Sequence, residues 1–316
     1  MNDSSANEGT INVLGFNLYY RTAEPAPGVK VKGNILCLHG GPGAPHNYLL
    51  SLVDLANYGY RVIFYDQLGV GKSEMPKNKY IFSIEYGVEE VEAFRQAMNL
   101  GKVNLFGSSY GGLLAIAYAL KYQKNLKSLV TAGGLASVPL TVAEMQRMKS
   151  ELPAEVVSVL QKYESVGDFE NQEYQDASMH FYRKHVCRMA EWPAEVQQTM
   201  SNMSRPVYYF MNGPNEYTIV GNMMYWDVTA RLPTIKVPTL VTGGRYDEVS
   251  TKVAESIHRG IKGSKRLTFE DSSHMPFWEE REMYLKSVAK FLDQVNVPSK
   301  KGPKSAKKAS SRRRRG

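Results

Sequence analysis

A chain of 316 residues with 43% apolar and 22% charged side chains holds ample material for a large packed core, which excludes general disorder. Its net charge of +8 belongs to the end of the chain, where Lys300, Lys301, Lys304, Lys307, Lys308 and Arg312 to Arg315 supply nine positive charges without an acid, leaving the rest at −1. The folded body is therefore close to neutral, and basicity does not define its function.

No run approaches the roughly 20 apolar residues of a membrane span, and the start MNDSSANEGT lacks the basic and apolar regions of a signal peptide. A cytoplasmic location is expected. Cys37 and Cys187 stand in neither a metal-ligand spacing nor a disulfide-rich pattern, so both are expected to be reduced thiols.

Along the chain, INVLGFNLYYRT alternates as an antiparallel edge hairpin should. The β-branched runs GNILCLHG at 33 to 40, RVIFYDQ at 61 to 67 and KVNLFGSS at 102 to 109 read as buried strands. Helix-like segments at 46 to 58 and 83 to 100 separate them, which is the alternation of a mostly parallel sheet. The pattern resumes with LKSLVTAG, TLVTGGRYD and KRLTFEDSS, and a helical pattern over 279 to 295 closes it.

Between about Leu135 and Leu232 the strand signal gives way to Met- and Tyr-rich stretches at helical spacing, which read as an inserted helical cap. Most of those residues are expected to form the cap's own core rather than to line a cavity. The expected organisation is an α/β core over 1–134, a cap over 135–232, the rest of the core over 233–297 and a basic, disordered tail over 298–316.

Gly107-Ser108-Ser109-Tyr110-Gly111 follows one of the strands and precedes the helix-forming run GLLAIAYALKY. In a strand–turn–helix context G-x-S-x-G lifts a serine above the sheet as a nucleophile; elsewhere it is only a glycine-rich turn. His39-Gly40-Gly41-Pro42-Gly43 follows the strand NILCL, where an oxyanion-hole loop belongs, making Gly41 N–H and Tyr110 N–H the expected donors. His39 itself is expected to brace this loop.

A serine nucleophile needs a base and a group to orient it, in the chain order Ser, Asp, His that this fold uses. His274, after the last strand and before the last helix, is the expected base, and Asp247, at the end of TLVTGGRYD, the expected orienter. Asp271 competes with Asp247 but lies closer to a loop-bracing position. Asp66-Gln67-Leu68-Gly69-Val70-Gly71-Lys72-Ser73 is no phosphate loop, because Asp66 stands where the first glycine should be. Asp66 is expected to brace a strand-end turn.

With HGGPG at 39 to 43, DQLGVGKS at 66 to 73, GSSYGG at 107 to 112, GRYDEV at 244 to 249 and SSHMPF at 272 to 277, the chain resembles the proline iminopeptidase family, serine peptidases of the α/β-hydrolase fold. The resemblance covers about residues 10 to 295. MNGPNEYTIVG at 211 to 221, followed by Trp226-Asp227, likens it further to the archaeal branch that trims peptides behind the tricorn protease.

The resemblance implies that Glu216 and Glu248 bind a substrate's free α-amino group, an ammonium with a pKa of about 8. It implies a serine aminopeptidase that releases proline or other small or apolar first residues from short peptides with a free N-terminus. A tricorn-type protease is the implied partner, and no cofactor or metal is needed. Leu68 departs from the family pattern, where arginine is usual, which bears on a local salt bridge rather than on the chemistry. An esterase or lactone hydrolase with the same triad and no amine recognition is the alternative, and a binding protein on a retained hydrolase fold is the other. The basic tail is expected to attract nucleic acid, acidic proteins or anionic membranes weakly, or to be a solvated extension.

Overall fold

A computed structural model describes residues 6–296; the basic tail and the disorder expected of it lie outside the described residues. Strands β1 (Ala6–Val13) and β2 (Phe16–Ala23) make the expected hairpin. Its two turn residues, Leu14 and Gly15, have φ of 52° and 90°, because a two-residue turn matched to the twist of its strands needs left-handed backbone at both positions.

β2 pairs antiparallel with β4 (Tyr60–Tyr65), and from there the sheet is parallel through β3 (Gly33–Leu38), β5 (Val103–Ser108), β6 (Leu126–Ala132), β7 (Thr239–Gly244) and β8 (Lys265–Phe269). The eight strands run in the order β1-β2-β4-β3-β5-β6-β7-β8. Successive residues face opposite layers: Leu36, Leu38, Ile63 and Leu105 join one apolar cluster, and Ile35, Cys37, Phe64 and Phe106 the other. Burial on both faces is why these strands read as continuous apolar runs.

The first layer is built on α1 (Ile84–Ala97) and α2 (Tyr110–Tyr122). The Ser83 hydroxyl starts α1 by accepting the Tyr86 N–H at 3.1 Å. The segment expected to be helical at 46 to 58 is a 3₁₀ helix, His46–Tyr58, whose fully buried Leu49, Leu52 and Leu55 recur every three residues and so form one edge.

Between β6 and β7 lie α3 (Val138–Ser150), α4 (Ala154–Glu164), α5 (Gln172–His185), α6 (Ala194–Ser201) and α7 (Arg205–Met211). This insertion leaves and returns through a narrow neck, where Val138 N–H donates to the Trp226 carbonyl and Val228 N–H to that of Ala136, each at 2.9 Å. The chain then completes α8 (Thr251–Gly260), α9 (Pro276–Glu279) and α10 (Arg281–Asn296). Among the described residues no helix is long and apolar enough to cross a membrane.

A carboxylic acid on α1 is buried within this core. Glu90 on α1 is 2% exposed and accepts the Leu68 N–H at 3.1 Å. Burial pushes its pKa up to about 8, although the bond from Leu68 favours the charged form. A folded-state pKa above the unfolded value means that the native protein holds the extra proton, so Glu90 costs stability as pH rises from the ordinary carboxylate range through 8.

Two measurements follow from the fold. Leu14→Asn, at an exposed position with left-handed backbone, should raise stability by about 1 kcal/mol, read as a higher thermal midpoint. For Glu90→Gln, the midpoint relative to wild type should climb steadily between pH 5 and pH 8.5; a difference independent of pH would show that Glu90 is not held neutral.

Candidate active site

Because β3, β5, β7 and β8 are parallel, the loops after them emerge at one edge of the sheet, where ligands bind in open α/β folds. Ser109 sits between β5 and α2 with φ 57° and ψ −125°, a conformation that costs about 1–3 kcal/mol for a side-chain-bearing residue. Its N–H donates to the Ala132 carbonyl at 2.9 Å, and its carbonyl accepts the N–H groups of Gly112 and Leu113 at 2.8 and 3.1 Å. The flanking glycines are needed for close approach: a Cβ on Gly107 would lie 2.1 Å from the Gly111 carbonyl oxygen, and one on Gly111 2.2 Å from that of Leu38.

Beside the serine runs the loop 39–45. Gly40 N–H donates to the Tyr48 hydroxyl at 2.7 Å, whereas the N–H groups of Gly41 and Tyr110 meet no acceptor among the described residues. His39 is 1% exposed and its Nε2 accepts the Gln67 N–H at 2.9 Å. Burial lowers its pKa to about 4, so the ring is neutral and braces the loop, as expected. Asp66 also braces its turn, accepting the backbone N–H groups of His46 and Lys72, each at 3.0 Å.

His274 is 4% exposed and Asp247 1%. Nδ1–H of His274 donates to Asp247 Oδ1 at 2.6 Å, and that oxygen also accepts the Val249 N–H at 2.8 Å. Nε2 of His274 is buried and has no hydrogen-bond partner. Asp271, the rival orienter, is exposed and makes no bond to His274 among the described residues.

Ser109, His274, Gly41, Glu216 and Glu248 line one pocket of about 50 Å³ that opens to solvent. Glu216 comes from the loop between α7 and the neck and accepts the Tyr208 hydroxyl at 2.8 Å. Glu248, 2% exposed, has Oε1 3.6 Å from His274 Nε2 and leaves Oε2 without a partner. Burial raises the pKa of both glutamates and the charge of Glu216 raises Glu248 further, while the positive charge of His274 works the other way and favours their ionised forms. Burial would lower His274, but Asp247, Glu248 and Glu216 outweigh it and push the imidazole up to about 10. Three carboxylates around one imidazole make the cavity a place for a cation.

Three side chains here escaped the reading of the sequence. Tyr48 steadies Gly40, and Tyr208 orients Glu216. Glu279 holds the loop carrying His274: its Oε2 accepts the N–H groups of Ser273 and Met275 at 2.8 and 3.3 Å, and its Oε1 that of Arg188 at 2.7 Å. The pair Glu279-Glu280, five residues past His274 and at the start of the helical pattern read from the sequence, was the available signal, but acids at such a place usually serve the helix itself.

The family model for the alpha/beta hydrolase fold matches residues 33–281. Over 293 residues the chain is 49% identical to a proline iminopeptidase of Saccharolobus solfataricus, covering 91% of this chain and 93% of that protein. It is 46% identical to one from Thermoplasma volcanium, covering 92% and 98%. The crystal structure of a proline iminopeptidase from Mycobacterium smegmatis superposes with a TM-score of 0.86 at 30% identity, covering 92% of this chain and 99% of that one. The chain belongs to the proline iminopeptidase family of α/β hydrolases.

Proposed function

We propose that this protein is a serine aminopeptidase that removes the first residue of short peptides, with Ser109 as nucleophile, His274 as base and Asp247 as its orienter. The observation that carries this reading is the pair Glu216 and Glu248, one half-buried and one buried carboxylate in the pocket that also holds Ser109 and His274. A free α-ammonium placed between them would hold the first residue's carbonyl over Ser109, and a chain without a free terminus would leave both carboxylates uncompensated. An esterase without amine recognition gives that pair no role.

Ser109 Oγ gives its proton to His274 Nε2 and attacks the carbonyl carbon, while the Gly41 and Tyr110 N–H groups take the oxyanion. His274 returns the proton to the leaving amine, which departs with the rest of the peptide. Water, deprotonated by the same nitrogen, then releases the amino acid from Ser109. Asp247 keeps Nε2 free for these transfers by holding Nδ1–H.

Ala44, Val186, Met200, Met203 and Met275 give the cavity an apolar wall suited to proline and other small or apolar first residues. The cap of this enzyme is residues 135–232, set on a core of 1–134 and 233–297. A tricorn-type protease upstream, supplying short peptides, is the partner that the likeness around MNGPNEYTIVG supports, and the cytosol is the compartment where such peptides arise. The basic tail is read as a weak, salt-sensitive contact to nucleic acid or acidic partners.

Fluorogenic proline and alanine amides, each with a free and an N-acetylated amine, test the reading. Wild type should cleave only the free-amine forms, Ser109→Ala should be inactive, and Asp247→Asn should lose about 10⁴ in kcat. Equal cleavage of acetylated amides would remove amine anchoring. In a separate assay, Glu216→Gln should lower amide kcat/KM by about 10²-fold or more, the loss of a charge-assisted pair, and leave turnover of p-nitrophenyl acetate within a fewfold of wild type.

A further inference from the structure

In the free protein the catalytic imidazole faces a carboxylate where it should face its serine. Nε2 of His274 is buried without a hydrogen-bond partner, Ser109 included, while Glu248 Oε1 stands 3.6 Å away. Glu248 is also buried, and its second oxygen is unpartnered. Asp247 and Glu248 are adjacent in the chain and reach opposite nitrogens of one ring.

We propose that Glu248 acts on the base as well as on the substrate: it holds His274 protonated in the free enzyme, and the substrate's ammonium, by occupying Glu248, releases His274 to serve Ser109. This rests on the amine-anchoring reading above and adds a trigger to it.

Each charged or titratable group facing the ring bears on the argument. Asp247 on Nδ1 and Glu248 by Nε2 both favour the imidazolium, and Glu216, from the cap, adds to them. His185 at the end of α5 gives Nδ1–H to the Tyr246 carbonyl at 2.8 Å, and burial lowers its pKa, so it stays neutral and offers Glu248 no counter-charge. Tyr182 and Tyr208 are held far above neutrality by burial and remain uncharged. Among the described residues, the cation that faces these three carboxylates is thus His274 itself.

An imidazolium has no lone pair on Nε2 and cannot take the Ser109 proton. When a substrate ammonium binds between Glu216 and Glu248, its positive charge replaces that of His274 in the balance. The Nε2 proton passes to water, and the neutral ring turns its lone pair to Ser109. An uncharged N-terminus leaves the base switched off even if the rest of the peptide is well placed.

Sulfonylation of Ser109 by phenylmethylsulfonyl fluoride, which has no amine, reads the state of the base directly. Its rate should be followed from pH 5 to pH 10 for wild type and Glu248→Gln, with and without pyrrolidinium chloride as a bare ammonium. The wild-type rate should rise with a midpoint above pH 8. Glu248→Gln should move that midpoint down by at least one pH unit and raise the rate at pH 7 at least fivefold. Pyrrolidinium should lower the wild-type midpoint and leave that of the variant in place. Equal midpoints in the two proteins, or pyrrolidinium that protects Ser109 without moving the midpoint, would overturn the trigger. The acetylated-amide assay keeps the two ideas apart: discrimination against acetylated amides with an unmoved midpoint sinks the trigger alone, and cleavage of acetylated amides sinks amine anchoring and the trigger with it.

Discussion

The site depends on a backbone-to-backbone contact. The turn after β5 is pressed so closely on the end of β3 that no side chain fits at Gly111, and Ser109 is forced into left-handed backbone to make the turn. That strain persists because β5 lies between β3 and β6 at the centre of the sheet, with fully buried side chains on both sides of it. The same contact sets the Gly41 and Tyr110 N–H groups beside the serine without acceptors of their own. Such preorganised donors need no rearrangement when negative charge develops.

The electrostatics of the cavity follow from a short stretch of chain. Asp247 and Glu248 follow β7 side by side, one bonded to Nδ1 of His274 and the other facing its Nε2. An insertion between them would separate the orientation of the base from the proposed recognition of the substrate. Glu279 does related work from the far side, gripping the N–H groups on both flanks of His274.

Much of the fold was legible because the parallel strands, buried on both faces, appear as uninterrupted apolar runs that stop where the chain turns polar. The hairpin was legible from alternation, and Ser109, Asp247 and His274 from their places at strand ends in the order that the fold requires. Glu90 and Glu279 were not, since a glutamate on a helix ordinarily faces water and only tertiary packing shows which ones are covered. Glu216 lay in a loop without periodicity and entered only through the resemblance. The 3₁₀ character of 46 to 58 was hidden because Leu49, Leu52 and Leu55 fit a helix of either pitch.

The insertion leaves and rejoins the sheet through a neck of two backbone bonds, at Ala136–Val138 and Trp226–Val228, and leans on the core again where Ser204 N–H meets the Gly43 carbonyl and Glu248 N–H that of His185. Another cassette between those points would leave the strand register alone but would have to remake the bonds that His185, Arg188 and Ser204 give to the core. One proposed substrate anchor, Glu216, would leave with the cassette, and the other, Glu248, would stay behind with the hydrolytic machinery. What the protein cuts and how it cuts are thus carried by separate stretches of chain, joined by the bonds from Arg188 to Glu279 and from Tyr48 to Thr199.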